Sequence, residues 1–126
     1  MSAYFKIDKE RRLVISTLSG AFTLADGLAH QERLLKDLDF NPNFSQLLDC
    51  TQITKVELKP EDVRRLAQRS IFSSDSHRAI LVGSDLLFGL ARMFMIFRET
   101  LGEKGIRIFY NRDEALYWVR PGHSAD

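Results

Sequence analysis

The chain predicts an α/β fold with the order β-β-α-β-α-β-α-β-α: a mostly parallel mixed sheet opened by an N-terminal antiparallel hairpin. Three observations carry this. Short runs of aromatic and β-branched residues alternate with longer segments whose apolar residues recur at three-four spacing. The first two short runs are separated only by the polar turn "DKERR", a hairpin signal. Each later pair of runs has a helical segment between them, the crossover that parallel neighbours need.

Tyr4 to Ile7 and Leu13 to Leu18 form the hairpin, and Gly20 is expected to end its second strand. Thr23 and Asp26 stand at capping-box spacing before a helix. Its expected inner stripe is Leu24, Leu28, Gln31, Leu35 and Leu38. Asn41-Pro42-Asn43 then breaks the helix. Gln46 to Cys50 reads as a short central strand, and "TQITKVELK" as a polar connection. Pro60 opens the next helix, because a missing N–H is harmless in the first turn. Val63, Leu66, Ala67 and Ser70 give that helix a thin inner face. "RAILVG" is the clearest buried strand; Ser84 caps the long helix after it, and Gly102 stops that helix. "GIRIFY" is the last strand. Asn111 and Glu114 repeat the capping-box spacing for a final helix through Ala115, Leu116 and Val119. Residues 1–120 are thus expected to form one domain and 121–126 a disordered tail.

Composition narrows the function classes. The 126 residues suit a single domain. A net charge of +1, with acids and bases interspersed, gives no pull toward nucleic acid or an anionic membrane. The most apolar stretch, "LLFGLARMFMIF", contains Arg92 and falls short of the roughly 20 apolar residues of a membrane span. Cys50 is the single cysteine and the N-terminus lacks a signal-peptide core, so a cytoplasmic location is expected. No C-x-x-C or H-x-x-x-H spacing occurs, and "LVGSD" has one glycine where a nucleotide fingerprint needs several. No metal or cofactor is expected. Cys50 ends its strand whereas His77 precedes the next, so parallel strands put them on opposite edges; His30 is expected on the wet side of the first helix. No thiol nucleophile is assembled, and a non-catalytic protein is expected.

The element order, together with "DCTQITKVELKPEDV", resembles a STAS domain. That family includes bacterial anti-sigma-factor antagonists and the cytoplasmic domains of anion transporters, and its wider fold group contains the CRAL-TRIO lipid carriers. The resemblance spans Tyr4 to Val119 as topology and rests on Asp49, Thr51, Ile53, Thr54 and Val56 as motif. "FGLARMF…FRE" and "DKERRLV" are similar to small uncharacterised bacterial STAS-like proteins. In the antagonists an Asp-Ser-Ser-Gly sequence carries a phosphorylated serine whose charge breaks binding to a partner kinase. Here those positions fall near Glu57, Leu58, Lys59 and Pro60, and none is serine.

Two sets of residues are candidates for binding. Lys59 stands at the N-cap before Pro60, where a cation beside free N–H groups could hold an anion. On the long helix, Leu87, Leu90, Phe94, Phe97 and Leu101 form the stripe expected to face the sheet. Phe88, Arg92 and Met95 then fall on the opposite, wet side, either covered by the neighbouring helix or serving as a surface for self-association or a ligand. Arg64, Arg65, Arg69 and Arg78 are expected on a solvated outer face, with a small basic patch for an anionic partner as the alternative. The leading expectation is a non-catalytic binding or regulatory module that forms a homodimer or binds a protein partner. The alternative is a carrier for a small apolar, lipid-like ligand. A third is a nucleotide or phosphate site where Gly83, Ser84 and Asp85 share a rim with Asp49 to Lys59.

Overall fold

A computed structural model describes residues 3–69 and 71–120. Ser70 and the tail 121–126 of the sequence reading lie outside the described residues. The chain runs β1 (Ala3–Asp8), β2 (Leu13–Thr23), α1 (Leu24–Lys36), β3 (Ser45–Glu57), α2 (Pro60–Gln68), β4 (Arg78–Leu81), α3 (Asp85–Thr100), β5 (Ile106–Phe109) and α4 (Arg112–Val119). The sheet order is β1-β2-β3-β4-β5. β1 is antiparallel to β2, and every later pair is parallel.

This sequential order decides where the helices go. A right-handed crossover that always steps in the same direction lays each helix on the same sheet face. Accordingly α1, α2 and α3 cover one face, where Leu18, Cys50, Ile80, Val82 and Ile106 form the core with Phe22 and Ala91. α4 follows the last strand and covers the other face, packing Ala115, Trp118 and Val119 on Leu13, Leu47, Ala79 and Leu81. Strand order never reverses, so this sheet has no topological switch point of the kind that positions ligands in doubly wound folds.

Two strands are longer than their sequence signals. β2 continues through Gly20, which adopts φ +66° at a register shift, and pairs up to Thr23 with Glu57. β4 reaches only Asp49↔Leu81, so beyond it β2 and β3 continue as a two-stranded parallel ribbon. The stretch expected as a polar connection is therefore strand. Its polar residues Gln52, Thr54 and Lys55 are exposed, while Ile53, Val56 and Leu58 are half-buried on the helix side.

Two helical faces and the place of Arg78 also differ from expectation. α1 buries Gly27, His30, Gln31 and Leu34 and leaves Leu35 exposed, while Leu38 lies exposed in the turn beyond the helix. Close packing at Gly27 causes the rotation: a Cβ there would stand 2.7 Å from Leu66 and 3.3 Å from Phe22. α3 turns Ala91 and Arg98 toward the sheet, which brings Phe88 and Met95 in against the first core cluster and leaves Leu101 exposed. The Phe88 ring stacks on Tyr110 at 5.6 Å. Phe88 and Met95 are thus half-buried and not on the wet side, whereas Arg92 is exposed as expected. Arg78 leaves the outer patch altogether and is buried in β4, while Arg69 pairs with Glu32 and Arg64 lies over Phe97.

The turn into β5 is packed without slack. Gly105 accepts hydrogen bonds at its carbonyl from Arg78 N and Trp118 Nε1, and an added Cβ would overlap the Ser76 carbonyl oxygen. Backbone cannot swing aside as a flexible side chain can. Gly105→Ala is expected to lower stability by about 1–3 kcal/mol, the range for overpacking, read as a fall in urea midpoint at constant slope.

Candidate functional site

Between the sheet and α1, α2 and α3 lies a cavity of about 130 Å³. Its walls are mostly hydrocarbon. Leu18, Leu48, Cys50 and Ile80 come from the sheet, Val63 and Leu66 from α2, and Leu87, Leu90, Ala91 and Phe94 from α3. The β2–β3 ribbon adds Ile53 and Val56, and Leu58 follows it. Val56, Leu58, Leu87 and Leu90 are half-exposed, so the cavity reaches solvent between the ribbon, α2 and α3. This rim lies toward the carboxyl ends of the strands.

The other end, at the start of β3 and β4, is polar. His30, Gln31, Gln46 and Arg78 line it, and they belong to one buried hydrogen-bonded chain. His30 Nε2 lies 3.0 Å from Ser16 Oγ, and Gln46 Nε2 donates to the same oxygen at 3.1 Å. Arg78 Nε donates to Gln46 Oε1 at 3.1 Å. Arg78 Nη1 donates to both Glu103 oxygens at 3.0 and 2.9 Å, and Arg98 Nε donates to Glu103 Oε1 at 2.8 Å. Arg98 Nη1 closes the chain on the Ala67 carbonyl at 2.7 Å. Phe72 and Phe94 flank the Arg78 guanidinium at 4.5 and 5.6 Å.

The charges follow from burial. Desolvation lowers the Arg78 pKa, Glu103 opposes that shift and Arg98 adds to it; arginine still keeps its proton at neutral pH. Desolvation also lowers the His30 pKa from 6.5 to about 4, with Arg33 and Arg78 contributing, so the imidazole is neutral. Cys50 goes the other way, pushed up to about 12 by burial and by Asp49, which makes it an inert wall residue. Gln31 is held by a bond from Nε2 to the Leu66 carbonyl, while its buried Oε1 has no partner among the described residues.

Lys59 occupies the N-cap of α2 and its side chain is exposed and makes no capping bond, since an ammonium carries only donors. The cap works in reverse: Lys59 N donates to Asp62 Oδ2 at 2.8 Å. Asp49 faces the α4 side. Burial raises its pKa, but bonds from Thr51 and Arg112 outweigh this and leave it lowered. The structure does not bring Lys59, Asp49 and the α3 residues into one site. Sequence reasoning missed the cavity's polar end. Its available signal was an arginine opening the apolar run "RAIL", which a buried strand tolerates only with a partner.

A sequentially ordered mixed sheet with three crossover helices on one face is a STAS-like fold. Among solved structures the chain is similar to an uncharacterised DUF3478-family protein with a SpoIIAA-like fold from Shewanella loihica, with a TM-score of 0.61, 17% identity and 94% of each chain covered. The fold is therefore SpoIIAA-like. No protein-family model matches the chain, and neither does any curated protein.

The buried neutral His30 has a thermodynamic consequence. Between pH 6.5 and about 4 the unfolded chain protonates this histidine and the folded chain does not. Stability therefore falls as pH falls through that window, by up to about 3 kcal/mol. His30→Gln is expected to flatten this part of the profile, measured by urea denaturation from neutral pH down to the window's acid end.

Proposed function

We propose that the protein is a non-catalytic binding module that encloses a small apolar ligand between the sheet and the three crossover helices. The observation that carries this reading is the cavity itself: a hydrocarbon-walled space with a solvent-facing rim and a few buried polar groups at one end. Ligand sites are concave and mostly apolar with a small number of placed polar atoms. Its size is comparable to the engineered cavity of about 150 Å³ that admits benzene. Support also comes from the junction of β3 and α2, where Glu57, Leu58, Lys59 and Pro60 offer no hydroxyl for a phosphorylation switch. Leu58 lines the cavity.

A compact apolar probe tests this. Intact protein titrated with 1-octanol is expected to release or absorb heat with one-to-one stoichiometry. Ala91→Phe, which fills the space with a ring, is expected to weaken binding by about tenfold or more, the equivalent of one lost buried apolar group. An unchanged isotherm in this variant would place the probe elsewhere and reject the reading.

Self-association through α3 is a second reading, supported by Leu86 and Ile96, which are 66% and 42% exposed. The exposed Arg92 lies on the same helix, while the half-buried Phe88 and Met95 contribute less surface. Light scattering at micromolar concentration is expected to show a dimer mass that Leu86→Lys with Ile96→Lys converts to monomer. A monomer mass for the unaltered chain rejects it.

A further inference from the structure

We propose that the cavity's ligand is a neutral apolar alcohol of medium length, whose hydroxyl donates to Gln31 Oε1 while its hydrocarbon lies toward the rim. This rests on the reading of the cavity as a ligand site. The observation that carries it is an acceptor without a donor. Gln31 is 9% exposed and lines the polar end of the cavity. Its Nε2 donates to the Leu66 carbonyl at 3.0 Å, which fixes the amide and leaves Oε1 as the remaining polar atom. That oxygen is buried and has no hydrogen-bond partner among the described residues. A buried acceptor in this state is destabilising until a donor reaches it.

The neighbouring side chains point their hydrogens along a different line. Arg78 Nε donates to Gln46 Oε1, and Gln46 Nε2 donates to Ser16 Oγ. Ser16 is fully buried and already accepts from Gln46, so its own proton goes to His30 Nε2, 3.0 Å away. Donors therefore run from Arg78 through Gln46 and Ser16 to His30, and none of these bonds ends on Gln31. A hydroxyl entering from the rim brings the hydrogen that Gln31 Oε1 needs. It comes on a group that also continues into hydrocarbon, which matches the apolar walls of Leu48, Ile80, Leu87 and Phe94.

Other polar groups fit this end less well. An ether or a carboxylate offers only acceptors and sets them against Gln31 Oε1. An ammonium can donate, but it brings a second positive charge to the end that already holds the buried Arg78 guanidinium. An amide can donate too, but its carbonyl is a strong acceptor that would itself need a partner. A hydroxyl supplies one hydrogen and no charge. Length is also limited: Gln46 and Cys50 both line the cavity, a span of about 13 Å along β3, which suits a medium-length chain.

Calorimetric titration of the intact protein with 1-octanol, its isomer 1-methoxyheptane, octanoate and octylammonium at neutral pH tests the proposal. The alcohol and the ether match in size, and only the alcohol can donate. 1-Octanol is expected to bind tightest, by about tenfold over the ether, the gain of one hydrogen bond to a buried acceptor. Equal binding of alcohol and ether overturns the hydroxyl contact and leaves the apolar site standing. Binding of none of the four removes the site, and this inference with it. Tighter binding of octanoate or octylammonium overturns the neutral ligand. Gln31→Met keeps the length of the side chain and removes Oε1, so it should bring the alcohol down to the level of the ether. Retained binding of the ether shows that the variant's cavity is formed. A full preference for the alcohol in that variant overturns the contact with Gln31. Should the variant fail to fold, the four-probe comparison on the unaltered protein decides the proposal by itself.

Discussion

The side of the structure that faces three helices depends on one carboxylate. Glu103, in the turn between α3 and β5, holds Arg78 of β4 and Arg98 of α3 at hydrogen-bond distance. Through Arg78 it reaches Gln46 of β3 and Ser16 of β2, and through Arg98 the last turn of α2. A buried arginine without a carboxylate is strongly unfavourable, so these elements have few alternative arrangements once Glu103 is in place. The ion cluster adds geometry more than net stability, because hydrophobic replacements of such clusters can be as stable.

The polar chain and the cavity explain each other. Ordinary cores close over their apolar surface at crystal-like density. Here the floor at the start of β3 and β4 is occupied by side chains that must keep their hydrogen-bond partners: His30 on Ser16, Gln46 on Ser16, Arg78 on Glu103. They cannot collapse into the space above them as leucines could. Gly27 lets α1 approach α2 closely, and the β2–β3 ribbon curls Ile53 and Val56 over the far end. The space is bounded by groups that have reasons to stay where they are.

Sequential strand order supplies the architecture for this. With every crossover stepping the same way, three helices crowd one sheet face and one helix is left for the other. Sites at strand carboxyl ends rely on a reversal of strand order, and this fold has none. Asp49, Lys59 and Ser84, expected to share a rim, are each engaged in caps and local bonds: Asp49 serves Thr51 and Arg112, Asp62 serves Lys59 N, and Ser84 Oγ accepts from Leu87 N.

Element order and strand direction were legible in the sequence because they are encoded locally. Thr23 with Asp26 and Asn111 with Glu114 mark helix starts by hydrogen bonds within four residues, Pro60 marks one by its missing N–H, and the apolar run Ala79 to Val82 is buried by its own composition. Which face each helix turns inward was not legible. The leucines of α1 and the Phe-Met pair of α3 obey a three-four period that several rotations satisfy almost equally. The rotation was chosen by Gly27 meeting Leu66 and by Arg98 meeting Glu103, contacts between residues distant in the chain or across a turn. The same holds for the site. Sequence alone determined that Arg78, Gln46, Gln31 and His30 exist near apolar segments; only tertiary structure decided that they meet at one end of a cavity, because partners for buried polar groups come from whatever element the fold brings alongside.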